Sequence, residues 1–178
     1  MAGHNKWTQI KRQKAVTDSK KSKVFSKCSK IISLAARKGA NPATNFELRT
    51  AIEKAKAENM PLDNIKRAVA KGSASNDIGC RLENAMYEAY GPGGAAIIID
   101  VITDSKNRAV AEIKHLLAEH NGKFAEQGSV LWAFDFPGEK PSPKITVELS
   151  PSDKEGLEKL VDALAELDDT QEVYTNAL

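Results

Sequence analysis

The chain has 178 residues, of which 41% are hydrophobic and 28% are charged, a composition typical of an ordinary globular protein. This balance excludes disorder throughout, and the longest purely apolar run, Ala95–Ile99, is too short to span a bilayer. The net charge of +2 hides a division: up to Gly79 there are 17 Lys and Arg against 6 Asp and Glu, and from Cys80 onward 9 against 18. A concentrated positive charge attracts polyanions, so nucleic acid is the predicted partner.

The two cysteines lack the CxxC spacing of a zinc site, and they are too few for a disulfide framework. Cys28 is interpreted as a small core residue in a reducing compartment. No apolar leader follows Met1. We therefore expect a cytoplasmic protein with no membrane segment.

The first element is a basic stretch, MAGHNKWTQIKRQK, which we expect to form an arm ahead of the first helix. Trp7 has only Ile10 as an apolar neighbour at helical spacing, so it either packs onto that residue or offers a flat face to a base. The predicted nucleic-acid contacts of the arm are Lys6, Trp7, Lys11, Arg12 and Lys14.

The next element is a predicted helix from about Ser19 to Gly39, with two separate stripes of side chains. The apolar stripe comprises Val24, Phe25, Cys28, Ile31, Ile32 and Ala35. The basic stripe comprises Lys20, Lys23, Lys27 and Lys30. Such a stripe is often only a solvated face, but between Met1 and Gly39 there are 11 basic residues and a single acidic one. Because these charges repel one another without a polyanion, the stripe is predicted to bind nucleic acid.

Two further helices complete a predicted three-helix bundle over residues 1–79. One begins at a capping box formed by Thr44 and Glu47. The other begins near Pro61, directs Leu62, Ile65 and Val69 inward, and ends at Gly72.

The acidic half, residues 80–178, opens with two predicted strands, LENAMYEAY and AAIIIDVIT. The GPGG sequence joins them in a tight turn. Its residues are Gly91, Pro92, Gly93 and Gly94, and the alternative interpretation is a loop whose backbone closely approaches RNA. A helix over 106–120 and a strand over FAEQGSVLWAFDF follow.

The remaining segments repeat the order strand, helix, strand. KITVELS is a predicted strand, Ser152 and Glu155 form a predicted capping box, and QEVYTNA is the last strand. This order predicts the α+β class, with a ferredoxin-like sandwich of a sheet and two helices after the bundle.

No pattern in the chain predicts catalysis. Asp168 and Asp169 end a helix in an acidic run and are interpreted as a solvated terminus, and GxSxG, HExxH and GKS/T are missing from the sequence. We therefore expect a protein that is not an enzyme and has no metal, no cofactor and no small-molecule substrate.

Taken in order, several motifs of the chain strongly resemble the YebC family, whose mitochondrial relatives are translational activators of cytochrome oxidase. The motifs are MAGHNKWTQIKRQKA, NFELRTAIEKAKAENMPLDNIKRAVAKG, YEAYGPGGAAIIID, TDSKNRAVAEIKH, GSVLWAF and LDDTQEVYTNA. The resemblance implies a three-helix domain followed by α+β domains. It also implies a non-enzymatic role in gene expression, described either as transcriptional regulation through DNA or as ribosome-associated help for translation through proline runs.

The chain departs from the family pattern in a few places. Asn5 replaces a serine, Ala89 a glycine and Thr175 a histidine, and Gln13 stands where a basic residue is common. Between Phe134 and Ile145, where the family usually carries a further small α+β domain, this chain has only a linker, 135–144.

Three hypotheses for the function follow. The first is a ribosome-associated translation factor that binds ribosomal RNA. The second is a DNA-binding transcriptional regulator, which charge alone does not separate from the first because phosphate contacts carry no sequence information. The third is a protein-interaction module whose basic half docks an acidic partner. No recognition helix with base-reading side chains stands out, and this favours RNA.

Overall fold

The computed structural model describes residues 4–74, 82–138 and 140–177, with side chains from Lys20 onward within those ranges. The chain divides into two compact units, residues 1–80 and 81–178. The boundary falls where the charge of the sequence changes sign. Each unit has a hydrophobic core of its own.

Within residues 4–74, the first unit contains three helices: α1 (His4–Ala36), α2 (Phe46–Ala57) and α3 (Leu62–Ala74). The predicted bundle helices are therefore present, but α1 begins at His4 and not near Ser19. Residues 4–36 contain neither glycine nor proline and include eight lysines, which favour helix. From His4 onward, the basic opening stretch is thus part of a helix of 33 residues, about 50 Å long, and not a separate arm.

Small residues let α1 and α3 approach closely in the core of this unit. Gly72 was expected to end α3, but it lies within the helix and is buried against α1. A Cβ atom at Gly72 would clash with the Ser33 carbonyl oxygen and lie 2.8 Å from Ala36 Cβ. Leu62 was expected to point inward, yet it is 61% exposed because it precedes the buried stripe that Ile65 begins.

The cap of α2 differs from the predicted one by one residue. Asn45, not Thr44, is the N-cap, and its side-chain oxygen accepts a hydrogen bond from the Leu48 backbone N–H at 3.0 Å. Its side-chain amide donates to the carbonyl oxygens of Ala35 and Gly39, both at 2.8 Å. Buried Asn45 therefore ties the start of α2 to the end of α1.

The second unit is an α+β sandwich, as predicted. Its elements are β1 (Glu83–Tyr90), β2 (Ala96–Thr103), α4 (Lys106–Glu119), β3 (Lys123–Ala125), β4 (Phe134–Asp135), β5 (Ser142–Pro143), α5 (Pro151–Ala165) and β6 (Thr170–Thr175). Four of the strands form an antiparallel sheet in the order β3, β1, β2, β6. The path from β2 through α4 to β3 leaves β1 between two parallel strands, which is the split βαβ unit of ferredoxin-like folds.

Strand β2 is buried on both faces of the sheet. Ile97, Ile99 and Val101 face the core formed with α4 and α5. Ala96 and Ile98 face a second cluster that includes Val130, Ala133 and Phe134. This explains why the strand is an almost continuous apolar run.

The strand predicted over FAEQGSVLWAFDF is wrong for most of its length. Only short pieces at its two ends are extended, while Leu131–Ala133 forms a 3₁₀ turn. Buried Glu88 provides the reason: its carboxylate accepts hydrogen bonds from the backbone N–H groups of Gly128 at 2.6 Å and Val130 at 2.7 Å. The segment is thereby held as a loop over the second face of the sheet.

The strand predicted over KITVELS is also wrong. Within it, only Val147 forms a bridge, to Ala177. The helix that follows is capped by Ser150 and not by the predicted Ser152, because the Ser150 hydroxyl oxygen accepts from the Asp153 N–H at 3.1 Å.

The predicted linker, 135–144, forms part of a small hairpin. Strands β4 and β5 pair antiparallel, with Phe134 opposite Pro143 and Asp135 opposite Ser142. The two ends of the loop that joins β4 to β5 therefore lie close together.

Candidate nucleic-acid interface

The lysine stripe of α1 flanks the core face of the helix rather than lying opposite to it. At about 100° per residue, the middle of the stripe lies about 120° around the helix from the middle of the apolar stripe. Accordingly Lys20 is exposed, whereas Lys23, Lys27 and Lys30 are partly buried and each interacts with another group of the chain. Long lysine stems commonly cover apolar surface while the ammonium group stays in water.

The other predicted contacts of the opening stretch are Lys6, Trp7, Lys11, Arg12 and Lys14. Their backbone continues α1, but their side chains lie outside the described residues. The two interpretations of Trp7, packing and stacking, therefore both stay open.

The first unit also exposes basic side chains on all three helices and in the turn that follows α1. They are Lys20, Lys21, Lys38, Arg49, Lys54, Lys56, Lys66, Arg67 and Lys71. Among them Lys38 Nζ forms an ion pair with Glu47 at 2.7 Å, and Arg67 donates to the side chain of Asn64. Positive charge is thus distributed over the unit and is not confined to α1.

An exposed aromatic ring is a feature that the sequence analysis missed. Phe46 is 68% exposed, and the Arg49 guanidinium carbon lies 5.3 Å from the centre of its ring. A signal was present, because Phe46 falls outside the core spacing of Leu48, Ala51 and Ala55 on the same helix.

The predicted turn role of GPGG is confirmed, and its backbone conformation accounts for two of its glycines. The Gly91 N–H donates to the Ala95 carbonyl oxygen at 2.8 Å, which closes the turn between β1 and β2. Gly93 and Gly94 have φ angles of 68° and 78°, which favour glycine. A Cβ atom at Gly93 would lie 2.5 Å from Leu149 Cδ2, so the turn also packs against the residues that precede α5.

The interpretation of Asp169 as part of a solvated terminus is wrong. Asp169 is 5% exposed, and its Oδ2 accepts hydrogen bonds from Thr103 Oγ1 and Arg108, both at 2.7 Å. Hydrogen bonds to Asp169 and Asp104 raise the pKa of the Arg108 guanidinium above its ordinary value. These groups link the end of β2, α4 and the start of β6, which is a structural role that spacing along the chain does not indicate.

Cys28 is buried, as expected for a core residue. Burial raises the pKa of its thiol above the ordinary value, because the thiolate would lose its hydration. Within residues 4–74, 82–138 and 140–177, His, Cys, Asp and Glu form no group of three that could hold a metal ion. None of the helices in those ranges is both long enough and apolar enough to cross a membrane.

These features define a class: proteins in which a lysine-rich helical unit precedes an antiparallel α+β unit. Residues 5–75 match the model of the TACO1/YebC protein N-terminal domain, and residues 82–140 match that of the TACO1/YebC second and third domain. The chain belongs to the TACO1/YebC family.

Relatives with similar sequences are named probable transcriptional regulatory proteins. One from Desulfosudis oleivorans is 47% identical over 98% of this chain and 71% of its own length. One from Trichodesmium erythraeum is 54% identical over 78% of this chain and 54% of its own length. A solved structure of a conserved hypothetical protein from Aquifex aeolicus has a TM-score of 0.84 and 30% identity, and covers 90% of this chain and 91% of its own.

The chain spans only a little over half the length of several of these relatives. A relative from Thermoanaerobacter pseudethanolicus, 37% identical, aligns over 238 positions that cover 99% of this chain and 96% of the relative. Because this chain has only 178 residues, at least 60 of those positions (238 less 178) are filled by the relative alone. The second family match ends at residue 140, within the hairpin of β4 and β5.

Proposed function

We propose that this chain is a non-enzymatic, nucleic-acid-binding regulator of gene expression that acts on ribosomal RNA in the cytoplasm. Its role is to assist translation through difficult stretches such as proline runs. The observation that carries the proposal is the concentration of 17 Lys and Arg against 6 Asp and Glu in the helical unit. Binding to nucleic-acid phosphates offsets the mutual repulsion of these positive charges. It is also favoured because the counterions of the phosphates are released.

The proposed contacts run along α1 and its lysine stripe. The nine basic or aromatic positions are Lys6, Trp7, Lys11, Arg12, Lys14, Lys20, Lys23, Lys27 and Lys30. At about 100° per residue Lys20, Lys23, Lys27 and Lys30 share one side of α1, so this side suits the backbone of a structured RNA. The loop Gly91–Gly94 is a further proposed contact: Gly91 is buried and Pro92 half-buried, but the backbone of Gly93 and Gly94 is exposed, and no side chain there prevents close approach.

The test replaces the four described lysines of the stripe by glutamine in the full chain and measures co-sedimentation with ribosomes at graded salt. We expect ribosome binding to weaken and the salt slope to fall by about one for each phosphate that is no longer neutralised. The matched control replaces four exposed lysines of the second unit by glutamine: Lys123, Lys144, Lys154 and Lys159. Equal weakening in both variants would show that net charge, and not the stripe, governs binding.

A DNA-binding transcriptional regulator is the second candidate, and the names of the relatives favour it. The discriminating assay is translation of a message with consecutive proline codons, run beside footprinting on duplex DNA. Relief of pausing by the chain supports the ribosomal role. Unchanged pausing together with sequence-selective protection of DNA would establish the transcriptional role instead.

A further inference from the structure

Phe46 is unusual in the first unit because a large aromatic ring at this position is mostly in solvent. It is 68% exposed, whereas phenylalanine is among the residues most often fully buried. The Arg49 guanidinium carbon lies 5.3 Å from the ring centre, within the range of a cation–π contact.

The exposure of Phe46 follows from the position of the residue on α2. Leu48 is two residues further along, about 200° around the helix, and is fully buried. The ring therefore lies on the side of the helix away from the core. Buried Asn45 anchors the adjoining backbone to the Ala35 and Gly39 carbonyl oxygens, so the ring projects from a fixed point at the end of α1.

Arg49 supplies positive charge beside this ring. Arg49 is exposed, and Lys38 lies close by, since its ammonium group pairs with Glu47, the residue next to Phe46. An exposed ring beside cationic groups is the combination that single-stranded nucleic acids bind, with bases on the ring and phosphates on the cations. Bases inside a duplex are stacked on both faces and therefore offer no free face for such an interaction.

We propose that Phe46 and Arg49 form a stacking site for one unpaired base of single-stranded RNA. The base lies on the open face of the Phe46 ring, and Arg49 holds the ring and attracts the adjacent phosphate. The site rests on the proposed function, which it extends from phosphate binding to recognition of an unpaired nucleotide.

The experiment uses the full chain with Phe46→Ala and two probes, a 12-nucleotide single-stranded RNA containing 2-aminopurine and a blunt RNA duplex of the same length. Stacking of one base on an aromatic ring contributes about 1 to 3 kcal/mol to binding. Its loss in Phe46→Ala is therefore expected to weaken single-strand binding about 5- to 150-fold. We expect duplex affinity to stay within about twofold and the salt slope to stay unchanged, because no charge is removed. Phe46→Trp is expected to retain single-strand binding and the change in 2-aminopurine fluorescence.

Leu62→Ala is the matched control, since Leu62 is also the first residue of a helix in this unit and is 61% exposed. If Phe46→Ala, Leu62→Ala and the parent chain bind the single strand equally well, the stacking site is wrong. The proposed function would not be affected by that result. Equal weakening for both probes would also overturn the stacking site, because stacking on an unpaired base does not act on a duplex. Failure of the parent chain to bind either probe would instead remove the proposed function, and the stacking site with it.

Discussion

Gly72 sets the distance between two helices, although its position near the end of α3 suggests a helix stop. Glycine in a helix interior normally costs about 1 kcal/mol relative to alanine. Here the missing Cβ atom leaves room for the Ser33 carbonyl oxygen and for Ala36. The Ser33 hydroxyl group also donates to the Ala68 carbonyl oxygen at 2.9 Å, so a buried hydrogen bond joins the helices at the same place.

Gly72→Ala is therefore expected to destabilise the first unit despite its better helix propensity. A new Cβ atom must push α1 and α3 apart, which costs about 1 to 3 kcal/mol. Amide hydrogen exchange at Ile32 and Ile65, in the core of the unit, measures the change. Ala70→Gly, at an exposed position of the same helix, is the control and should cost only about 1 kcal/mol. Slower exchange in Gly72→Ala than in the parent would contradict the packing argument.

At the scale of elements, periodicity predicted the helices and the two central strands, but not every boundary. The apolar spacing of α2, α4 and α5 is repeated over several turns, so the helix is still predicted when one position departs from the pattern. A cap depends on one side chain, and neighbouring residues with similar chemistry compete for it, as Thr44 and Asn45 do. KITVELS has the alternation of a strand, but alternation does not reveal whether a partner strand is available.

Asn45→Ala is expected to destabilise the first unit by about 2 to 4 kcal/mol. It removes the bond to the Leu48 N–H and leaves the Ala35 and Gly39 carbonyl oxygens without their side-chain donor. Thr44→Ala is the control and should cost less than about 0.5 kcal/mol, since Thr44 is exposed and its hydroxyl only donates to the Asn41 carbonyl oxygen at 3.2 Å. Urea titration followed by the NMR signals of α2 compares the two. A larger destabilisation in Thr44→Ala would restore the capping box predicted from the sequence.

At the scale of the whole molecule, charge along the chain predicts a nucleic-acid interface, whereas tertiary contacts decide which side chains are exposed. The excess of Lys and Arg before Gly79 can be counted from the sequence and does not need a structure. The burial of Asp169 does need one, because it depends on groups far along the chain, whereas the exposure of Phe46 agrees with its position outside the core spacing of α2. Trp132, Phe136 and Ile145 are likewise exposed, and they lie in and beside the hairpin in which the second family match ends.

The hairpin of β4 and β5 is expected to accept the extra segment that longer relatives carry. Phe134 lies opposite Pro143, so the two ends of an insert replacing residues 137–140 would start close together. Lengthening this loop by about 60 residues costs about 2 kcal/mol when the insert is flexible, and less when it folds with adjacent ends.

We therefore expect amide exchange at Ile97 and Ile99 to be nearly unchanged when the insert comes from the Thermoanaerobacter pseudethanolicus relative. The same insert between Gly93 and Gly94 should instead disrupt the turn against Leu149 and increase exchange strongly. Equal exchange in the two insertion variants would show that the hairpin has no special tolerance.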